Sequence, residues 1–232
     1  MPEYPDTIDQ TEYDQYTAAW ATLLTSGSAE DLAQAFGLPG VGRITFLTFS
    51  LDQLLALVSA AEVRHIKARL LLLPDTLGVP RFGAALFATD ADDTRLTDYY
   101  IPTPTAATST QTVEPATGPS TSIPREETLD WLTSWLTATA LATAQFTTPY
   151  GPLQGSNFQV STFQDPLAAA PPYADQSLFF NLGLHASGPG LAQTLAPVVY
   201  ISALTSRTQG TIEGIPIRGG FYDMSMPAPP AP

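Results

Sequence analysis

Residues 102–124 constrain this 232-residue chain more than any other stretch, because they divide it into two pieces of similar length. They hold Pro102, Pro104, Pro115, Pro119 and Pro124, seven threonines, and Glu114 as the only charge. So few apolar side chains cannot offset the entropy of ordering the backbone, and proline keeps such a segment extended. The composition predicts a Pro/Thr-rich linker at 102–124, with one folded piece over 1–101 and a second over 125–210. Residues 211–232, ending in PAPPAP, are expected to form a C-terminal extension.

Both flanks carry the same order of element signals. In the first, Thr7 and Gln10 have capping-box spacing before a helix at 8–25, whose Tyr13, Tyr16, Trp20 and Leu23 share a face. Ser28 caps a short helix at 29–36, which Gly37-Leu38-Pro39-Gly40 stops. A strand at 43–49 follows. Ser50 and Gln53 then open a helix with Leu51, Leu54, Leu55 and Val58 on one side, and strands at 63–73 and 81–89 form a hairpin. In the second flank, Ser122, Pro124, Glu126 and Glu127 start a helix bearing Trp131 and Trp135. A strand is expected at 156–163, then QDPLAAAPPYAD with its helix broken by proline, then strands at 177–185 and 198–204. Sliding one flank onto the other sets Phe49 on Phe163.

The expected fold is α+β: two similar α-β-α-β-β halves with antiparallel sheets covered by helices. Three strands make a marginal sheet, so the halves would need each other, through edge pairing or helix contacts. The competing expectation is one irregular α+β domain without internal symmetry.

Composition mainly excludes. With no cysteine there is no disulfide framework or thiol chemistry, and two histidines are too few for a closed zinc site without several carboxylates. The net charge of −13 disfavours nucleic acid and anionic membrane surfaces as partners. No apolar run reaches membrane-spanning length, and the acidic start MPEYPDTIDQ lacks a signal-peptide pattern, so a cytoplasmic location is expected. No cofactor and no metal is expected.

The most informative local pattern is the strand that begins at Val63. Alternation places His65, Lys67 and Arg69 on one face and Ile66, Ala68, Leu70 and Leu72 on the other. Three cationic or titratable groups spaced about 7 Å apart can grip a carboxylate or phosphate, with Arg81 joining from the next strand. The same row also suits a solvated face paired with this acidic protein's own carboxylates. His185 has no nearby carboxylate to orient it, and reads as structural. Asp90, Asp92 and Asp93 begin like a calcium loop, but Arg95 stands where glycine is needed and Ile101 where the bidentate acid belongs. An acidic turn is expected instead. Trp20, Trp131 and Trp135 suit either core packing or an interface with a partner.

Two functions are therefore carried forward. The first is a non-catalytic soluble interaction or structural module, meeting a protein partner or a second copy of itself. The alternative is a binder of a small anionic ligand, or an enzyme acting on one, through His65, Lys67 and Arg69.

Overall fold

A computed structural model describes residues 6–105, 125–148, 151–169, 176–186, 192–203 and 226–227. The first flank contains β1 (Thr7–Ile8), α1 (Gln10–Ser26), α2 (Ala29–Ala35), β2 (Gly37–Leu38), β3 (Gly42–Arg43), β4 (Phe46–Ser50), α3 (Leu51–Val58), β5 (His65–Pro74), β6 (Pro80–Thr89), β7 (Tyr99–Tyr100) and β8 (Thr103–Thr105). The second contains α4 (Arg125–Thr137), a 3-10 turn (Thr143–Phe146), β9 (Thr147–Thr148), β10 (Gly151–Pro152), β11 (Gly155–Gln159), α5 (Ser161–Ala169), β12 (Gln176–Ala186), β13 (Gln193–Ala203) and β14 (Met226–Pro227). The class is α+β, and every strand pairing is antiparallel. Among the described residues, no helix is long and apolar enough to cross a membrane.

Helix starts follow local chemistry. Ser28 with Asp31, and Ser50 with Gln53, form reciprocal capping boxes at α2 and α3, where the sequence places them. At α1 the box lies two residues later than expected, at Asp9 and Glu12. The Asp9 carboxylate accepts from the Glu12 amide at 2.8 Å, and the Glu12 carboxylate accepts from the Asp9 amide at 3.1 Å. Thr7 cannot cap because Thr7 and Ile8 are drawn into β1, opposite Tyr100 and Tyr99.

Two further expectations need correction. The strand expected at 156–163 ends at Gln159, and α5 stands where a broken helix was expected. Phe163 and Leu167, one turn apart, are both buried in the main core, and that packing outweighs the single backbone bond that Pro166 removes. Pro104, assigned to the linker, instead lies in β8 opposite Leu47. An edge strand tolerates proline because one side needs no donor. The rest of the expected linker, 106–124, lies outside the described residues.

The sheets interleave the two flanks. One has the order β1-β7-β6-β5-β11-β14 and the other β13-β12-β4-β8. Thus β11 of the second flank pairs with β5 of the first, while β4 of the first pairs with β12 of the second. Hydrogen bonds repeat this exchange. Leu70 donates its amide to the Gln154 carbonyl at 2.9 Å, and Leu182 donates to Thr45 at 3.0 Å. Trp20 donates its indole N–H to the Leu153 carbonyl at 2.8 Å, and Trp135 donates to Ile44 at 2.9 Å.

One apolar cluster runs through both sheets. At its centre the Phe36 ring stacks on Phe82 (4.3 Å) and Phe146 (5.3 Å) and meets Trp135 edge-on at 5.1 Å. A smaller cluster of Leu71, Leu73, Ala85, Phe87 and Tyr99 lies on the opposite face of the β5–β6 hairpin, under Tyr13 and Tyr16 of α1.

Candidate functional site

Strand β5 has the predicted alternation. Ile66, Ala68, Leu70 and Leu72 enter the main core, leaving His65, Lys67, Arg69, Leu71 and Leu73 on the other face. Register sets the neighbours of each. His65 lies between Thr89 and Gln159, Lys67 between Phe87 and Asn157, and Arg69 between Ala85 and Gly155. One end of this face is therefore polar and the other apolar.

The polar end is densely bonded. Lys67 donates to the Asp93 carboxylate at 2.8 Å; its side chain is 11 % exposed and that of Asp93 65 %. Arg69 donates to Asn157 Oδ1 at 3.0 Å and to the carbonyls of Ala68 and Ser156 at 3.2 and 3.3 Å. Burial lowers the Arg69 pKa while Tyr13 and Asp93 raise it, and a guanidinium remains charged regardless. The Lys67 ammonium, hydrogen-bonded to Asp93, holds that carboxyl below its ordinary range, and His65 and Arg69 pull the same way. Aromatic rings wall the site. Tyr13 stacks on Tyr99 at 4.0 Å, Phe87 meets both edge-on, and the Arg95 guanidinium lies 4.4 Å above Tyr99.

Arg81 is not brought into this group. It faces Leu73 next to the hairpin turn, eight residues along β6 from Thr89, or roughly 26 Å at strand rise. There it donates to Asp75 at 3.0 Å and to the carbonyls of Gln34 and Gly37 at 2.6 and 2.9 Å, tying the hairpin to the end of α2. Desolvation raises the Asp75 pKa, but donation from the Val79 and Leu77 amides and from Arg81 outweighs it, leaving the carboxyl below its ordinary value. A carboxylate depressed in the folded state stabilises fully above its unfolded pKa of roughly 3.9, and that contribution is lost as pH falls through the folded value. Thermal unfolding of Asp75→Asn should therefore vary less than that of the wild-type chain between pH 5 and 3. Parallel curves would show that Asp75 titrates alike in both states.

The three tryptophans are interior residues of this chain. Trp20 and Trp135 have no exposed surface, and Trp131 is buried with its ring 4.4 Å from that of His185. An interface with another chain through these indoles is thus corrected to cohesion within one chain. His185 has this ring contact and accepts, through its carbonyl, a bond from Thr194. Asp90 Oδ1 accepts from the amides of Asp92 and Thr94, which makes 90–94 a closed acidic turn. Among the described residues, no three His, Asp or Glu side chains are grouped to hold a metal.

Sequence reasoning missed Thr89, Asp93 and Asn157 as neighbours of the basic row. Thr89 was within reach, because a hairpin turning at 75–79 sets it opposite His65. Asn157 lies across a pairing between distant segments that has no local signature.

The second notable feature is the edge of β13. All eleven of its residues are in register with β12. Because Leu182 donates toward Thr45 on the β4 side, alternation gives the amides of Val198 and Tyr200 to β12 and points those of Leu195, Val199 and Ile201 outward. Pro197 lies in the outward set, where no donor is needed. Among the described residues, no strand pairs with this edge. No protein-family model, curated protein or solved structure matches the chain, and the geometry alone carries the functional reading.

Proposed function

We propose that the protein is a non-catalytic interaction module that takes up an extended segment of a partner protein along the outer edge of β13. The observation that carries this reading is that edge itself. It is an eleven-residue strand paired on one side only among the described residues, and rows of N–H and C=O groups along such an edge are templates for strand addition. Leu195, Val199 and Ile201 are buried, so a partner segment has to displace what packs over them. The partner segment is cationic. The chain's charge of −13 opposes a second copy, β13 carries no charge, and Asp165 is the one charged residue of α5, which packs against β13.

The scaffold behind that edge consists of two similar halves, approximately 1–101 and 125–210, that exchange their first core strands. Three features support this reading: the matched Trp20–Leu153 and Trp135–Ile44 bonds, the matched Leu70–Gln154 and Leu182–Thr45 bonds, and the placement of β8 on β4 as β14 lies on β11. Such an arrangement makes the sheets rigid and leaves one long strand for a partner.

The test is selection of decapeptides from a randomised display library on the intact chain, followed by amide exchange with the selected peptide bound. Enriched peptides should carry Lys or Arg, and should slow exchange at Val199 and Ile201 while leaving Val198 and Tyr200 unchanged. Failure to enrich any peptide, or a bound peptide that leaves Val199 and Ile201 unprotected, would contradict the reading. A concentration-dependent dimer protected at the same two amides would replace the foreign partner with a second copy.

A further inference from the structure

We propose that the polar end of the β5 face is a seat for a phosphate group, formed by His65, Lys67, Arg69 and Thr89 and filled in the free chain by the carboxylate of Asp93. It lies in the sheet that does not contain β13, so this site and the edge can fail independently.

Four observations converge on it. His65, Lys67 and Arg69 follow one another at alternate positions of a single strand, which sets their side chains on one face. Thr89 is the direct cross-strand neighbour of His65, has no exposed surface, and its hydroxyl has no hydrogen-bond partner among the described residues. The Nδ1 of His65 is likewise buried and unpartnered. Two adjacent orphaned polar atoms on the face that also carries an ammonium and a guanidinium are unusual, since buried polar groups are nearly always satisfied. Finally, an anion already stands there. The Asp93 carboxylate is 2.8 Å from Lys67, yet its side chain is largely exposed and comes from the 90–94 turn. A carboxylate reaching in from solvent shows that the face accepts an oxyanion, and that the occupant can leave without unpacking the core.

The donor set favours phosphate over a simple carboxylate. A lysine, an arginine, a threonine hydroxyl and an imidazole N–H offer donors in several directions, which suits a tetrahedral dianion better than a planar monoanion. Phe87 and Asn157 flank Lys67 and fix the width of the seat.

Asp93 has φ +65°, a left-handed conformation that glycine adopts without strain, so Asp93→Gly removes the carboxylate while keeping the turn. The dissociation constant for inorganic phosphate, measured by calorimetry against chloride of equal ionic strength, should be about tenfold lower in Asp93→Gly than in the wild-type chain. That is the change expected if the carboxylate fills the seat roughly nine-tenths of the time. Adding Lys67→Met should abolish the gain. Thr89→Val in the Asp93→Gly background should weaken phosphate binding severalfold, which a purely packing role for Thr89 would not do. Phenyl phosphate serves as the second probe. Tighter binding than inorganic phosphate would identify a phosphorylated ligand, and equal binding would identify the free ion. A folded Asp93→Gly chain that binds neither probe, or binds them equally well with Lys67→Met, overturns the proposal. In the unaltered chain, phosphate but not chloride should shift the His65 ring signals, and their failure to move at saturating phosphate would also overturn it.

Discussion

Trp135→Ala should destabilise the chain by about 4 kcal/mol or more, read from the urea midpoint at constant m. Removing a fully buried tryptophan leaves a cavity, and such truncations cost about 3–5 kcal/mol. The indole also donates to the Ile44 carbonyl, and an unsatisfied buried acceptor adds about 1–3 kcal/mol. Trp20→Ala should behave alike, because its ring is equally buried and donates to Leu153 across the other crossing of the chain. Trp135→Phe separates the two contributions, since it refills most of the space but restores no donor. The alanine pair should not be additive, because both rings touch Phe36. A Trp135→Ala loss below about 1 kcal/mol would mean that the indole lies elsewhere in solution.

Gly155→Ala is expected to be comparably severe, at about 3 kcal/mol or more. Gly155 has φ +149°, which L side chains rarely adopt, and a Cβ there would be driven into the Ala68 carbonyl on the paired strand. The strand must come this close because Gly155 opens β11 at its junction with Arg69 of β5. The clash is with backbone, so no rotamer change relieves it. Native-state exchange should show amides on the β5–β11 seam, Ala68 and Phe158 among them, opening before those of the β12–β13 pair. An alanine variant of wild-type stability would show that the seam has another register.

Much of the fold was legible because its signals are local. Capping chemistry at Ser28 and Ser50, the alternation of β5 and the proline-bounded hairpin all depend on residues within one turn or one strand. The misreadings lie where tertiary packing overrides local preference. Pro166 argues against a helix, but the burial of Phe163 and Leu167 makes one. Sliding the flanks onto each other sets Phe49 on Phe163, yet Phe49 lies in strand β4 and Phe163 in helix α5. The exchange of β4 and β11 was legible only as a need of each small sheet for more strands, since pairing across more than eighty residues has no periodicity to read.

The site divides the same way. The shared face of His65, Lys67 and Arg69 follows from strand alternation, and Arg81 is separated from them because a hairpin carries its first residues to the turn end. Asp93 could be read as a turn residue, but its reach to Lys67 depends on how the 90–94 turn folds back over the sheet. Both indoles at the crossings were visible as apolar residues on a helical face. Their burial followed from the partner flank, which the helix alone does not specify.

The interleaving of the two flanks is tested most directly by cutting the chain between them. A protease site placed within 106–124 leaves the described strands untouched. After cleavage, the two fragments should elute together as one body and unfold in a single transition, because β4 and β11 each hydrogen-bond into the other flank's sheet. Fragments that separate under native conditions while each keeps its secondary structure would contradict the account.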